Sequence, residues 1–183
     1  MHIQQLSVSH DDRQDRILLR LNTQDSQEFH FWLTRRMVAR LLPAMGHWLV
    51  KLEATQPGVA ASNTHSQRIL TEIKREAFLQ HADFTTPYTS EPGPCPLGSE
   101  PLLVTDVQLS LHPKGSLQVV FQEKNGNSEQ SCHLNLQAPL VHGLIHLVHQ
   151  TLAKTEWGLT DAVQLDVPTP ELLADIHSAP YKH

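Results

Sequence analysis

The amino-acid sequence predicts a single α+β domain that contains two β-β-β-α units. Short runs in which apolar and polar residues alternate end at turn-forming residues, which is typical of half-buried strands. A stretch of helical periodicity follows each group of three such runs. This order occurs twice within the 183 residues, a length that suits one hydrophobic core. The pattern therefore indicates an internally duplicated α+β fold.

The first unit, residues 3–53, begins with three predicted strands and ends in a helix. The strands are expected at Ile3–Val8, Ile17–Leu21 and Phe29–Leu33. Thr34 is a favourable N-cap for the helix, since its hydroxyl can accept a hydrogen bond from an early backbone N–H. Pro43 lies within the helical pattern, so we expect it to kink the helix or divide it in two.

Two different segments separate the units. Residues 63–82 predict an inserted helix that begins at Asn63, and we expect its inner face to be formed by Ile69, Leu70, Ile73 and Ala77. Residues 87–101 are rich in proline and glycine and can form neither a helix nor a central strand. We expect this connector to be exposed and to be the first site that a protease cuts.

The second unit, residues 104–158, repeats the order of the first. Its strands are expected at Val104–Leu111, Leu117–Phe121 and Cys132–Leu136. Asn125-Gly126 predicts a hairpin turn, because this pair tolerates positive φ. Pro139 suits the first turn of a helix that runs to about Glu156, and Gly158 favours its end. Residues 159–183 form a C-terminal extension, with a possible edge strand at 162–167 and a short helix after Thr169.

The correspondence between the units extends to individual positions. Apolar residues of the first strand and helix fall on apolar residues of the second unit, and His30 falls on His133. The matching order, spacing and turns predict a true duplication. Half-domains of this size cannot each bury an apolar face alone, so we expect the two units to pack about a pseudo-twofold axis, with the inserted helix and the C-terminal extension added.

Composition and charge exclude several classes of partner. The net charge is −5 and the isoelectric point is about 6.2, which disfavours a nucleic-acid surface and an anionic membrane surface. The two cysteines, Cys95 and Cys132, are far apart in the sequence, as is usual in a reducing compartment. The N-terminus has no pattern of a secretory signal. We therefore expect a cytoplasmic protein.

Three stretches carry a resemblance to other proteins: Leu19–Thr23, Phe31–Arg36 and Ala153–Leu159. They resemble stretches of a small family of uncharacterised bacterial proteins, and the resemblance extends over most of the chain. It implies no particular activity, cofactor or site residue.

Histidines are the most unusual feature of the composition, with 13 in the chain. His142, His146 and His149 share one face of the last predicted helix, and imidazoles at this spacing can bind zinc or another transition metal. His133 could complete such a site. However, the three helical histidines flank the apolar stripe, where we expect a boundary with solvent, and no carboxylate lies among them.

Arg35, Arg36 and Arg40 cluster at the start of the first predicted helix, where their charge opposes the helix dipole. This placement suggests a contact with an anion or an acidic partner. No nucleophile, phosphate-loop or dinucleotide motif occurs in the sequence. We therefore expect a non-enzymatic binding or adaptor protein without a cofactor, acting through a protein partner or by self-association. The alternative is a metal-binding protein or a metal-dependent enzyme that uses the histidines.

Overall fold

The computed structural model describes residues 2–56, 63–90, 93–126 and 128–159. These residues form a mixed α+β fold with a four-stranded sheet, a three-stranded sheet and three helices. The predicted edge strand and short helix of the C-terminal extension lie outside the described residues. None of the described helices is long and apolar enough to cross a membrane.

The first sheet has the strand order β1-β2-β3-β4. Its strands are β1 (Ile3–Asp11), β2 (Arg16–Thr23), β3 (Glu28–Thr34) and the short β4 (Leu102–Leu103). The first three form an antiparallel meander, and β4 pairs in parallel with β3. Alternate side chains of β2 and β3 enter the core because successive residues of a strand face opposite sides: Ile17, Leu19, Leu21, Phe29, Phe31 and Leu33.

The second sheet is an antiparallel meander with the order β5-β6-β7. Its strands are β5 (Asp106–His112), β6 (Ser116–Asn125) and β7 (Ser128–Leu136). The predicted hairpin joins β6 to β7, and Gly126 has a φ of +58° there. The rings of Phe31 and Phe121 lie 5.0 Å apart, which brings the two sheets together in one core.

Two helices complete this core. Helix α1 (Arg35–Ala54) begins at Thr34, whose hydroxyl accepts a hydrogen bond from Met37 N at 3.2 Å, as predicted. It continues without interruption through Pro43, so the predicted division into two helices is wrong. Leu42 and Ala44, on the two sides of the proline, are buried, and this packing stabilises one continuous helix. Helix α3 (Ala138–Leu152) has Pro139 in its first turn. Helix α1 packs against β5, α3 packs against β1, and the two helices contact each other.

Helix α2 (Thr64–His81) starts after the predicted cap, Asn63, but turns a different face inward. Ile69 and Ile73 are 49% and 58% exposed, so the predicted inner face is wrong. Thr71 is buried instead. The helix packs mainly on α1 and α3, where Lys74 approaches Glu53 and the Phe78 ring stacks on that of His142.

The connector is tied to the outer face of the first sheet. Its described residues, 87–90 and 93–101, are in neither a helix nor a strand. The Tyr88 hydroxyl and the Ser90 hydroxyl each donate a hydrogen bond of 2.8 Å to the buried Glu28 carboxylate. The Arg20 guanidinium lies 4.6 Å from the centre of the Tyr88 ring. These contacts anchor part of a segment that the sequence predicts to be exposed.

Candidate functional site

An open cleft of about 490 Å³ lies between the end of α1, the second half of α2, the start of α3 and the β5–β6 turn. The cleft is lined by Glu53, Gln56, Lys74, Phe78, Lys114, Gly115, Gln137, Ala138, Pro139 and His142. Its volume falls within the range of roughly 300–1,000 Å³ that is common for pockets that bind small molecules.

A buried hydrogen-bonded pair, Glu53 and His142, forms one wall of the cleft. His142 Nε2 lies 2.8 Å from Glu53 Oε1, and each residue is only 3% exposed. An ionised carboxylate can only accept hydrogen bonds, so the Nε2–H of His142 donates to it. Removing a carboxylate from water costs roughly several kcal/mol unless other groups compensate for the lost hydration. The imidazole is the compensating group that the geometry supplies.

The pair is incompletely satisfied. Lys74 Nζ lies 3.8 Å from Glu53 Oε2, close enough for attraction between charges but too far for a hydrogen bond. Within the described part of the chain, neither Glu53 Oε2 nor His142 Nδ1 has a hydrogen-bond partner, and both atoms are buried. Leaving a buried polar atom unpaired costs about 1–3 kcal/mol. Such a cost in a native structure calls for an explanation.

Glu53 reaches this position because it continues the buried stripe of α1. Leu42, Met45, Leu49 and Glu53 follow one another at intervals of three or four residues, and all four are buried. Glu53 also lies in the last turn of the helix, where the dipole disfavours a negative charge. Glu53 was not identified as a candidate from the sequence. The signal that could have found it is a charged residue in line with an apolar stripe.

Phe78 covers the imidazole from α2. Its ring is stacked on that of His142, with the ring centres 5.9 Å apart and an angle of 25° between the planes. A Cβ atom at Gly143 would lie 3.6 Å from the Phe78 ring, an ordinary van der Waals distance, so the approach of Phe78 does not require a glycine there. Lys74 and Phe78 were also missed from the sequence, since the face of α2 that carries them was assigned to solvent.

The four candidate metal ligands are placed differently from one another. His142 is buried against Glu53, so the predicted boundary position is wrong for this residue; α1 and α2 both pack on α3 and supply Glu53 and Phe78, which contact the imidazole. His146 and His149 are half-buried, whereas His133 is exposed on β7. In residues 2–56, 63–90, 93–126 and 128–159, no group of three or more His, Cys, Asp or Glu is arranged to hold a metal ion.

The two half-buried histidines are more reluctant to accept a proton than an ordinary histidine. Burial lowers the pKa of His146, and the positive charge of Arg75 lowers it further. Burial also lowers the pKa of His149, with smaller contributions from Arg75 and His146. The His146 ring lies 4.6 Å from that of Phe84. These surroundings favour neutral imidazoles packed against aromatic and aliphatic groups.

The arginine cluster is separate from the cleft. Arg35, Arg36 and Arg40 are all exposed at the start of α1, whereas Glu53 lies at the other end of this helix. A helix of 20 residues is about 30 Å long. The structure therefore does not bring the arginines and the buried pair into one site.

Comparisons with known proteins give no relative from which a role could be transferred: no family model, curated protein or solved structure matches the chain.

Proposed function

We propose that this protein binds a small polar molecule in the cleft beside Glu53 and His142. The observation that carries the proposal is the pair of unpaired polar atoms, Glu53 Oε2 and His142 Nδ1, in side chains that line the cleft. A ligand with a hydrogen-bond donor could satisfy the carboxylate oxygen. The side chain of Lys74, its nearest cation, is 37% exposed, and a flexible lysine can turn aside to admit that donor.

The geometry favours binding over acid–base catalysis by His142. A general base must come within hydrogen-bond reach of the proton that it removes. Here Nε2 of His142 is engaged by Glu53 Oε1, so this nitrogen is not free to take a proton from a ligand. This proposal keeps the non-enzymatic role expected from the sequence but replaces the protein partner with a small ligand.

A screen of small polar metabolites by ligand-detected NMR tests the proposal. Molecules that bind the unchanged protein should lose affinity for the Glu53→Gln variant, which keeps the hydrogen bond to His142 but removes the charge. The Glu156→Gln variant is the matched control, because Glu156 is exposed and lies outside the cleft. If no molecule binds, or if both variants bind equally well, the proposal is wrong.

Self-association is a second candidate, and the exposed face of α2 favours it. His65, Ile69, Ile73 and Glu76 are all exposed and lie on one side of the helix. We propose a second copy of this chain as the occupant. In an antiparallel pair of α2 helices, Ile69 of each copy would lie opposite Ile73 of the other. The same register places His65 opposite Ala77 and therefore one residue from Glu76, close enough for an imidazole to donate a hydrogen bond to that carboxylate.

Sedimentation velocity measures this association directly. The Glu76→Arg variant should shift the protein towards the monomer, and the double variant His65→Glu with Glu76→Arg should restore the dimer, since it exchanges the two partners. Glu156→Arg is a control that reverses a charge elsewhere. A chain that is monomeric at all concentrations would contradict the second candidate and leave the cleft proposal untouched.

We also infer that the two β-β-β-α runs are copies of one unit, related by a pseudo-twofold axis. Their strands follow in the same order, and the reciprocal packing of α1 on β5 and of α3 on β1 supports the inference. Superposition of residues 3–53 on residues 104–156 in an experimental structure tests it.

Cytoplasmic location is a further proposal, and it is supported by the free thiols of Cys95 and Cys132.

A further inference from the structure

We infer that the ligand of the cleft is a small oxyanion, a carboxylate or a phosphate, that also carries a hydrogen-bond donor. This inference rests on the proposed binding function and names the chemical class of the ligand. Its basis is the juxtaposition of the uncapped N-terminus of α3 and two lysines with the buried, unpaired carboxylate of Glu53.

The start of α3 offers backbone donors to an anion. The N-cap residue Gln137 makes no side-chain capping hydrogen bond, although most helices satisfy their first N–H groups in this way. Proline has no N–H, so Ala138 and Leu140 carry the donors of the first turn. Gln137, Ala138 and Pro139 all line the cleft. An anion there would be stabilised by these donors and by the positive end of the dipole of a 15-residue helix.

The charged residues that line the cleft also favour an anion. Lys74 and Lys114 outnumber the single carboxylate, Glu53, among the residues that line it. The chain as a whole has a net charge of −5, so this cleft is a local exception on an acidic protein. A cationic recess in an acidic surface attracts a small anion and concentrates it.

Glu53 determines what the rest of the ligand must be. Glu53 is only 3% exposed, and its Oε2 atom lacks a hydrogen-bond partner among the described residues. An anionic group beside it would be repelled, whereas a hydroxyl or amine would be bound. Ala138 precedes His142, the partner of Glu53, by four residues of α3, which is about 6 Å along the helix axis. One small molecule can therefore place an anionic group at the start of the helix and a donor at Glu53.

Four small probes separate these requirements. Acetate carries only the anionic group, glycolate adds a hydroxyl donor, and acetamide is a neutral molecule of the same shape as acetate; inorganic phosphate tests the other source of oxyanion. We expect acetate or phosphate to shift the backbone amide NMR signals of Ala138 and Leu140, and acetamide not to do so. Glycolate should bind several-fold more tightly than acetate, and Glu53→Gln should remove this difference.

Lys114→Gln should weaken binding of the anion several-fold, whereas Lys154→Gln should not. Lys154 lies beyond the other end of α3, which is about 22 Å long. Anions that leave the Ala138 and Leu140 signals unchanged, or acetamide that shifts them as strongly, would overturn the inference. If a neutral molecule from the metabolite screen binds the cleft while the anions do not, the inference fails and the proposed binding function stands.

Discussion

Replacing the two members of the buried pair singly and together should give strongly non-additive losses of stability. His142→Phe leaves the Glu53 carboxylate buried, with Lys74 at 3.8 Å as its remaining charged neighbour among the residues that the structure describes, and we expect it to cost about 3–5 kcal/mol. Glu53→Met leaves a neutral imidazole without a partner and should cost about 1–3 kcal/mol. The double variant removes both polar groups and keeps a similar volume, so its stability should lie within about 1 kcal/mol of the unchanged protein.

Urea unfolding followed by circular dichroism measures these free energies, provided that the transitions are two-state. In thermal unfolding, a loss of 3 kcal/mol corresponds to a fall of roughly 6–12 °C in Tm for a domain of this size. The coupling energy is the sum of the two single losses minus the loss in the double variant, and it should exceed about 3 kcal/mol. If the loss in the double variant equals the sum of the two single losses, the pair does not compensate itself, and the reasoning about the cleft is refuted.

Three further predictions concern other parts of the molecule. Burial lowers the pKa of His149 from 6.5, so the imidazole takes up its proton at a higher pH in the unfolded chain than in the folded protein. The free energy of unfolding should therefore decrease as the pH falls through about 6.5, and decrease less in His149→Gln. Burial raises the pKa of Cys132 to about 11, so iodoacetamide at about pH 8 should alkylate only Cys95 in the folded protein, as mass spectrometry would show, and both thiols in urea. Tyr88→Phe removes a hydrogen bond to the Glu28 carboxylate and should cost about 1.5–3 kcal/mol; limited proteolysis should then cut the connector faster, and an unchanged rate would count against the anchoring contact.

The strands were predictable because their pattern is local. Alternate residues of β2 and β3 are buried, and this period of two is visible in the sequence without knowledge of what packs on the strands. The cap at Thr34 and the turn at Gly126 were predictable for the same reason, since each depends on a residue's own conformational preference or on a neighbour only a few positions away. For helix α2 the local pattern gave a wrong prediction. Its two isoleucines follow helical spacing, yet they face solvent, because the helices on which α2 packs determine which side is buried.

The sequence by itself determined the α+β class, the order of the three helices and of the described strands other than β4, and the clustering of histidines on α3. Only the tertiary structure decided which of these histidines is buried and which residue it contacts. Glu53 and His142 are separated by 89 residues, and neither residue's local pattern contains the other. Their pairing depends on how α1 and α3 pack together, and burial in that interface makes a carboxylate and an imidazole require each other. Hydrophobic periodicity records which residues avoid water, but it does not record the partners that buried charges find across the core.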